Sequence, residues 1–471
     1  MRQSSLVVVA NRLPLDDNIA PDGACEWRRS PGGLAGALHA ILDKTPATWV
    51  GWGGGIGTAK PLPDIGSLRM LPMGLSEDEH NGYYEGFANS TLWPLYHDAV
   101  SPPVFDRGWW ETYRAVNRRF AQAAAEAVEP GGTVWVQDYH LTLVPQLIRE
   151  LRPDVLIGFF MHVPFPPPEL FMQLPRRLDL LRGMLGADLV GFQRPQAAHN
   201  ISQLAVKLLG AQVTGDEEIS FEGRTIRTGA FPMSIDVAEM QALSARRDVR
   251  DRAAQLRSDL GKPRRVLLSV DRLDYIKGIE HRLTAYSELL RDGLVKVRDT
   301  VLVQVAVPSR ERVESYRKLR DRIEGEVGRI NGEYGRVGET AIHYLIQPFD
   351  RAELAALYQT ADVMVVTPLR DGMNLVAKEY VAARADNSSA LVLSEFAGAA
   401  DEFTDAFLVN PHDVDGLKDT LLRAMEAEPA DLERRMTAMR EHLVSHDIDF
   451  WARSYLTALD RTGRVAARLR R

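Results

Sequence analysis

The sequence predicts an α/β protein made of two doubly wound domains with a deep cleft between them. Three observations lead there. Apolar runs of strand length recur along the chain, each followed by a stretch with helical spacing of apolar residues, the alternation that builds parallel sheets covered by helices. Polar and charged residues gather just beyond the carboxyl ends of those runs, where open α/β sheets bind ligands. The pattern also restarts after FPMSID (231–236) and a charged helical stretch at 237–260, dividing 471 residues into two parts of ordinary domain size.

In the first half, strands are expected at 6–10, 133–137, 155–161 and 189–192, and helices at 34–42, 109–126, 142–151 and 194–209. SPGGL (30–34) would open the first helix, with two glycines able to pass close to a ligand. Residues 13–29 form a connection longer than α/β units usually need, which suggests a lid. GWGGGIG (51–57) lacks the strand-then-helix context of a dinucleotide fingerprint and reads as a loop near the cleft. The second half begins with GKPRR (261–265) and a strand at 266–270. Further strands follow at 301–307, 342–345, 363–367 and 390–394. An amphipathic piece at 447–458 is long enough to return to the first domain. The boundaries predicted are 1–236, 237–446 and a helical segment 447–471.

Composition narrows the function classes. The 57 basic and 64 acidic side chains leave a formal charge of −7, which gives no general attraction for nucleic acid or an anionic membrane. A phosphate site must therefore be built from local arginines and lysines. Cys25 is the only cysteine, so an intrachain disulfide or a thiolate metal cluster is not expected. The opening MRQSSLVVVANR reads as a first strand rather than a leader, and no segment approaches the ~20 apolar residues of a membrane span. A cytoplasmic metabolic enzyme acting on small molecules is the expected class, with no metal and a homo-oligomer left open.

The segment TPLRDGMNLVAKE (367–379) carries the most information. It runs from a buried strand through a loop into a helix, placing Arg370 and Asp371 at the strand end. Gly372 lets backbone N–H groups approach an anion, and the helix from about Asn374 offers free N–H groups to a phosphate. Glu379, about a turn and a half into the helix, is placed for the vicinal hydroxyls of a ribose. An ordinary strand-to-helix turn is the plain alternative. SVDRLDYIKG (269–278) closes the first strand of the second half; Arg272 and Lys277 there can converge on a diphosphate, a rigid fork beside a mobile point charge. Arg272 could instead form a surface pair with Asp271 or Asp274.

In the first half Arg12 sits where the opening strand should end. Tyr83, Tyr84 and Trp93 could form a sugar platform, with core packing the alternative for Trp93. Arg310, after a second-half strand, could hold one phosphate together with Arg12. Asp138 and His162 are polar groups at otherwise apolar strand ends, suited to hydroxyl recognition, although a satisfied buried histidine would look the same. His140 is a neighbour that the helix start could fix structurally. No third or fourth ligand at recognisable spacing makes a metal site of them. Asp98, Asp138, Asp371 and Glu379 invite a paired-carboxylate glycosidase reading, but a hydrolase of neutral sugars has no use for Arg12, Arg272, Lys277 and Arg310 at strand ends. A serine nucleophile elbow is also missing.

At these residues the chain resembles the trehalose-6-phosphate synthase family, glycosyltransferase family 20. The matching segments are ANR, SPGGL, YYEGFANSTLWP, QDYHL, GFFMHVPFP, DRLDYIKG, PSR, RINGEYG, TPLRDGMNLVAKEY and LVLSEFAGAADE, with LVSHDIDFWARSYL at the end. The resemblance implies the GT-B arrangement of two Rossmann-like domains, an acceptor domain at 1–236 and a donor domain at 237–446. It implies transfer of glucose, with retention, from a nucleotide-glucose to glucose 6-phosphate, giving an α,α-1,1 link without metal or protein nucleophile. The leaving phosphate takes the acceptor proton. Carried over by position, Arg12, Tyr84, Trp93, Asp138 and Arg310 would hold the acceptor. Gly32, Gly33, His162, Arg272, Lys277, Asp371, Gly372, Met373, Asn374, Leu375 and Glu379 would hold the donor. Arg272, Lys277, Asp371, His162 and Asp138 would bear on catalysis. Gln137 stands where the family often has histidine. UDP-glucose is the default donor; GDP-glucose, another acceptor, or a binding-only sensor of sugar phosphates are the rival readings.

Overall fold

The computed structural model describes residues 3–19, 25–29, 46–59, 62–310 and 312–469. They form two compact units: 1–233 with 448–471, and 234–447.

Unit 1 is built on a sheet whose strands, among the described residues, lie in the order β5-β4-β1-β6-β7-β8-β11-β10-β9. These are β1 (Ser4–Arg12), β4 (Ala47–Ile56), β5 (Leu68–Leu75), β6 (Val128–Gln137), β7 (Leu156–Met161), β8 (Leu189–Phe192), β9 (Gln212–Gly215), β10 (Glu218–Phe221) and β11 (Arg224–Ala230). Every pair from β5 through β11 is parallel, and β10 and β9 then extend the sheet antiparallel. The chain moves outward from β1 in both directions, so β1 and β6 flank the point where strand order reverses. Their carboxyl ends are Arg12 and Gln137. The helix Arg107–Ala127 covers the sheet: Asp106 caps it by accepting from the N–H groups of Gly108 and Trp109, and Trp110, Tyr113, Phe120, Ala121 and Ala124 bury one stripe.

Several elements depart from the sequence reading. The glycine run expected to be a loop forms most of β4, paired in parallel with β1 and β5. Two of its glycines give clearance: a Cβ on Gly51 would lie 2.9 Å from the Leu13 nitrogen, and one on Gly54 2.6 Å from Arg12. The 13–29 connection contains an antiparallel ribbon, β2 (Leu15–Ile19) against β3 (Cys25–Arg29). Residues 80–92 wind as a π-helix, a form concentrated at functional sites. The stretch at 237–260 is two helices, Val237–Ala245 and Arg247–Asp259, broken at Arg246, whose backbone is extended. No Gly or Pro marks that break. The helix expected at 34–42, and Gly32 and Gly33 with it, lie outside the described residues.

The helix Ile448–Leu469 belongs to unit 1. Tyr455 stacks on Trp135 at 5.0 Å and donates to the carbonyls of Phe159 and Leu189, while Trp451 donates to that of Phe231. A Cβ at Gly158 or Gly191 would come within 2.7 and 2.5 Å of the Tyr455 side chain, so these strand glycines make room for it.

Unit 2 has the parallel order β14-β13-β12-β15-β16-β17, with β12 (Arg265–Arg272), β13 (Thr300–Val307), β14 (Ile342–Leu345), β15 (Val363–Val366), β16 (Ala390–Ser394) and β17 (Phe407–Val409). Val266, Leu268 and Val270 face one apolar cluster and Leu267 the other, as a sheet buried on both faces requires. Order reverses between β12 and β15. Those two strands lead into the DRLDYIKG and TPLRDGMN loops.

Candidate functional site

In unit 2 the two loops at the reversal point are locked together. Leu369 N–H donates to the Ile276 carbonyl at 2.7 Å, and Gly278, at φ +62°, is a position where a Cβ would fall 2.1 Å from the Thr367 oxygen. Only glycine fits there. Beneath them Arg282, 1% exposed, pairs with Asp271 at 2.8 Å and donates to the carbonyls of Val365 and Lys277. The sequence reading missed this buried arginine, because a charge within an amphipathic helix ordinarily faces solvent.

Lys277 Nζ reaches Asp371 Oδ2 at 2.6 Å, and Asn374 Nδ2 donates to the same oxygen at 3.1 Å. Asn374 also caps the helix Leu375–Ala383, its Oδ1 accepting from Ala377 N–H at 3.0 Å. That cap uses a non-glycine residue at φ +112°, ψ 91°, a strained conformation of the kind found at ligand sites. Leu375 and Val376 open the helix, where N–H groups have no intrahelical acceptor. Gly398 presses so close to Gly372 that a Cβ would lie 2.0 Å from the Gly372 oxygen, which fixes the loop carrying Gly372 and Met373. Glu379 accepts from Tyr358 Oη at 2.8 Å; burial pushes its carboxyl above the usual range, against the lowering effect of that hydrogen bond and of Arg351.

Arg272 is exposed at the end of β12. Nearby, Asp271 pairs with Arg282, and Asp274 with Arg310 at 3.2 Å and Tyr316 at 3.1 Å. Arg310 also donates to Tyr316 Oη and sits at φ +50°.

In unit 1 aromatic rings gather at the reversal point. The Arg12 guanidinium lies over the Trp52 ring at 4.7 Å. Trp52, His80 and Tyr84 form a triangle with centroids 5.3 to 5.5 Å apart, and Tyr84 stacks on His140 at 5.8 Å. Tyr83 donates to Asn11 Oδ1 at 2.8 Å, fastening the π-helix to the end of β1. Trp52 and His80 went unrecognised in the sequence as parts of this seat, because no spacing links them to Arg12 or Tyr84. Trp93, 5% exposed, lies against His97 at 4.1 Å and Tyr139 at 5.7 Å, the packing role weighed for it.

Asp138 follows β6 at φ +71°, ψ 169°, a region nearly confined to glycine. Its Oδ1 accepts the backbone N–H of His162 at 3.1 Å. The His162 ring is bracketed by Gln137 Oε1 at 2.9 Å and Gln193 Nε2 at 3.3 Å, so both ring nitrogens are engaged and neither is open to a sugar hydroxyl. Burial pulls its pKa down to about 3. Some of the residue stays open to solvent, yet the direction keeps the ring neutral at pH 7. Asp98 sits at φ +57°. Among the described residues no group of three or more His, Cys, Asp or Glu is arranged to hold a metal ion, and no helix is long and apolar enough to cross a membrane.

Known proteins place this arrangement. The family model described as glycosyltransferase family 20 matches residues 4–461. A trehalose-6-phosphate synthase of Mycobacterium avium is 53% identical over 98% of this chain and 96% of its own length. Among solved structures, an alpha,alpha-trehalose-phosphate synthase (UDP-forming) from Burkholderia xenovorans, in complex with glucose-6-phosphate, is 33% identical with a TM-score of 0.89. It covers 97% of this chain and 99% of its own. A protein from E. coli bound with UDP-2-fluoro glucose is 35% identical with a TM-score of 0.87, covering 96% and 98%. Two doubly wound units of this kind make up the GT-B fold, and the chain belongs to glycosyltransferase family 20.

Proposed function

We propose that this chain transfers glucose from UDP-glucose to the C1 hydroxyl of glucose 6-phosphate, with retention, giving α,α-trehalose 6-phosphate and UDP. One observation carries the reading. Each unit concentrates anion- and hydroxyl-binding groups at its own strand-order reversal, where α/β sheets bind ligands. Unit 2, with Arg272, Lys277 and the helix N-terminus after Asn374, takes the donor. Unit 1, with Arg12 on Trp52 beside Tyr84, takes the acceptor. The relatives named above support the pairing, and the E. coli relative bound with UDP-2-fluoro glucose supports UDP over GDP.

The chemistry follows from the charges. As the bond from donor C1 to the diphosphate oxygen breaks, negative charge grows on the leaving group, and Arg272 and Lys277 stabilise it most in the transition state. The acceptor O1 forms the new bond on the same face, and its proton passes to the departing phosphate oxygen, so no protein base is required. Asp371 orients Lys277 and accepts from donor glucose hydroxyls, and the amides from Gly372 to Leu375 lie against the diphosphate and sugar. Glu379 holds the ribose. Arg12 and Tyr84 grip the acceptor phosphate, Asp138 contacts sugar hydroxyls, and His162 and Trp93 form walls. Arg310 is assigned to the acceptor phosphate by resemblance; the phosphate then shares or displaces Asp274. Gly32 and Gly33 rest on resemblance alone. Small-molecule substrates of this kind suit a cytoplasmic enzyme.

Incubation with UDP-glucose and glucose 6-phosphate is expected to release UDP together with a non-reducing disaccharide phosphate, read by chromatography and anomeric NMR. No product with either UDP- or GDP-glucose overturns the reading.

A further inference from the structure

The His162 bracket has a direction that follows from the hydrogen bonds themselves. Met233 N–H, a donor only, meets Gln193 Oε1 at 2.8 Å. That fixes the Gln193 carboxamide, whose Nε2 therefore faces His162 Nδ1. An amide N–H can meet Nδ1 only if that nitrogen carries its lone pair. The ring proton must then sit on Nε2, where Gln137 Oε1 accepts it at 2.9 Å. A doubly protonated imidazole would set two N–H groups against each other at Nδ1. Burial of the ring works in the same direction.

The ring's described neighbours are mostly apolar. It packs on Phe160 at 4.6 Å and Trp451 at 6.0 Å, and the charged group from the adjoining loop, Asp138, spends an oxygen on the backbone N–H of His162. Gln137 and Asp138 thus grip one residue twice, at its ring and at its main chain. Gln137 is fully buried, and its Nε2 has no partner among the described residues. The Gln137 oxygen is the group turned toward the ring.

We infer that Gln193 and Gln137 are positioning residues that hold His162 as the neutral Nε2–H tautomer, so that His162 shapes the donor-sugar wall and exchanges no proton during turnover. The role of that wall rests on the proposed reaction; the tautomer does not. The two amides act unequally. Gln193 forbids a proton on Nδ1, whereas Gln137 only accepts the one on Nε2.

The test is long-range 1H–15N NMR of 15N-histidine-labelled full-length enzyme without substrate, with the His162 signals assigned by Gln substitution at that position. The wild type is expected to show protonated Nε2 and bare Nδ1, unchanged from pH 8 to pH 5. Gln193→Glu presents an acceptor to Nδ1 and is expected to bring a His162 titration into that window. Gln137→Glu, with the Gln193 amide still opposing Nδ1, is expected to leave Nδ1 bare. In kinetics, kcat/KM of Q193E should gain an acid limb of about tenfold per pH unit that the wild type lacks. If Q193E does not fold, Gln193→Met removes the donor without adding charge, and both tautomers should then be sampled. An Nδ1–H tautomer in the wild type, or a wild-type spectrum in Q193E or Q193M, overturns the inference. A wild type that makes no product but shows the Nε2–H tautomer overturns the proposed reaction and leaves the positioning roles standing.

Discussion

At the reversal point of unit 2 the cations meet carboxylates: Lys277 with Asp371, Arg282 with Asp271, Arg310 with Asp274. At that of unit 1, Arg12 rests on an indole and His162 lies between two carboxamides. A paired cation is aimed before a ligand arrives, and removal of one partner leaves the other charge poorly solvated. The Arg12 guanidinium is seated on the Trp52 ring, so its place depends on packing. The Lys277–Asp371 pair is therefore expected to be sensitive to loss of charge, and the Arg12 seat to changes of shape.

The largest effect is expected at Lys277. Lys277→Ala should lower kcat by ~10²–10³, as for loss of one transition-state donor, and Arg272→Ala by a similar factor. Lys277 and Asp371 are in direct contact, so K277A/D371N should lose less than the product of its single variants. Strict additivity in steady-state kinetics would break the view that the pair acts as a unit.

Next comes a steric change in unit 1. Gly54, at φ +96°, has room for no Cβ, which would lie 2.6 Å from Arg12 Nη2. Gly54→Ala should displace the guanidinium and raise KM for glucose 6-phosphate about tenfold or more. UDP binding by calorimetry should stay unchanged. An equal loss of UDP affinity would erase the division of labour.

Backbone strain gives a smaller, two-sided test. Asp138 occupies conformational space costing about 1–3 kcal/mol for a residue with a Cβ. Asp138→Gly should therefore resist urea better than Asp138→Ala by about 1 kcal/mol, and both should lose turnover. Equal stabilities would show that the positive φ at this position carries no such cost.

The smallest effect concerns Glu379. Its carboxyl is held above the ordinary range by burial, so the folded state binds that proton more tightly than the unfolded one. Ionisation then costs stability at neutral pH and costs nothing once both states are protonated. Glu379→Gln should raise the Tm at pH 7 to 8, with the gain fading as pH falls through the raised value toward 4.5, while UDP binding weakens. A lower Tm at pH 7 would mean that Tyr358 and Arg351 outweigh desolvation.

What the sequence showed depended on how local the signal was. The 363–379 segment was legible because strand, glycine and helix start are contiguous, and Arg272 and Lys277 because they close one apolar run. β4 was read as a loop because its glycines erase the apolar pattern, and their purpose, clearance for Arg12 and the end of β1, is a tertiary fact. Residues 80–92 carry no distinct period, so their π-winding left no mark. Trp52, His80, Tyr84 and His140 converge from three separate segments, and no spacing rule links them. Arg282 and Gln193 act from beneath their sites, where residue type alone suggests solvent.

The Ile448–Leu469 helix gives the chain an order of manufacture. Unit 2 is one uninterrupted stretch, 234–447, set inside the sequence of unit 1. During synthesis it can fold as it emerges, as domains generally do. The sheet of unit 1 is made earlier but must wait, with Trp135 and the notches at Gly158 and Gly191 uncovered, until Trp451 and Tyr455 leave the ribosome. The first unit begun is thus the last one finished. A chain stopped at 447 would carry a complete unit 2 beside an open apolar face, the kind of intermediate that chaperones hold.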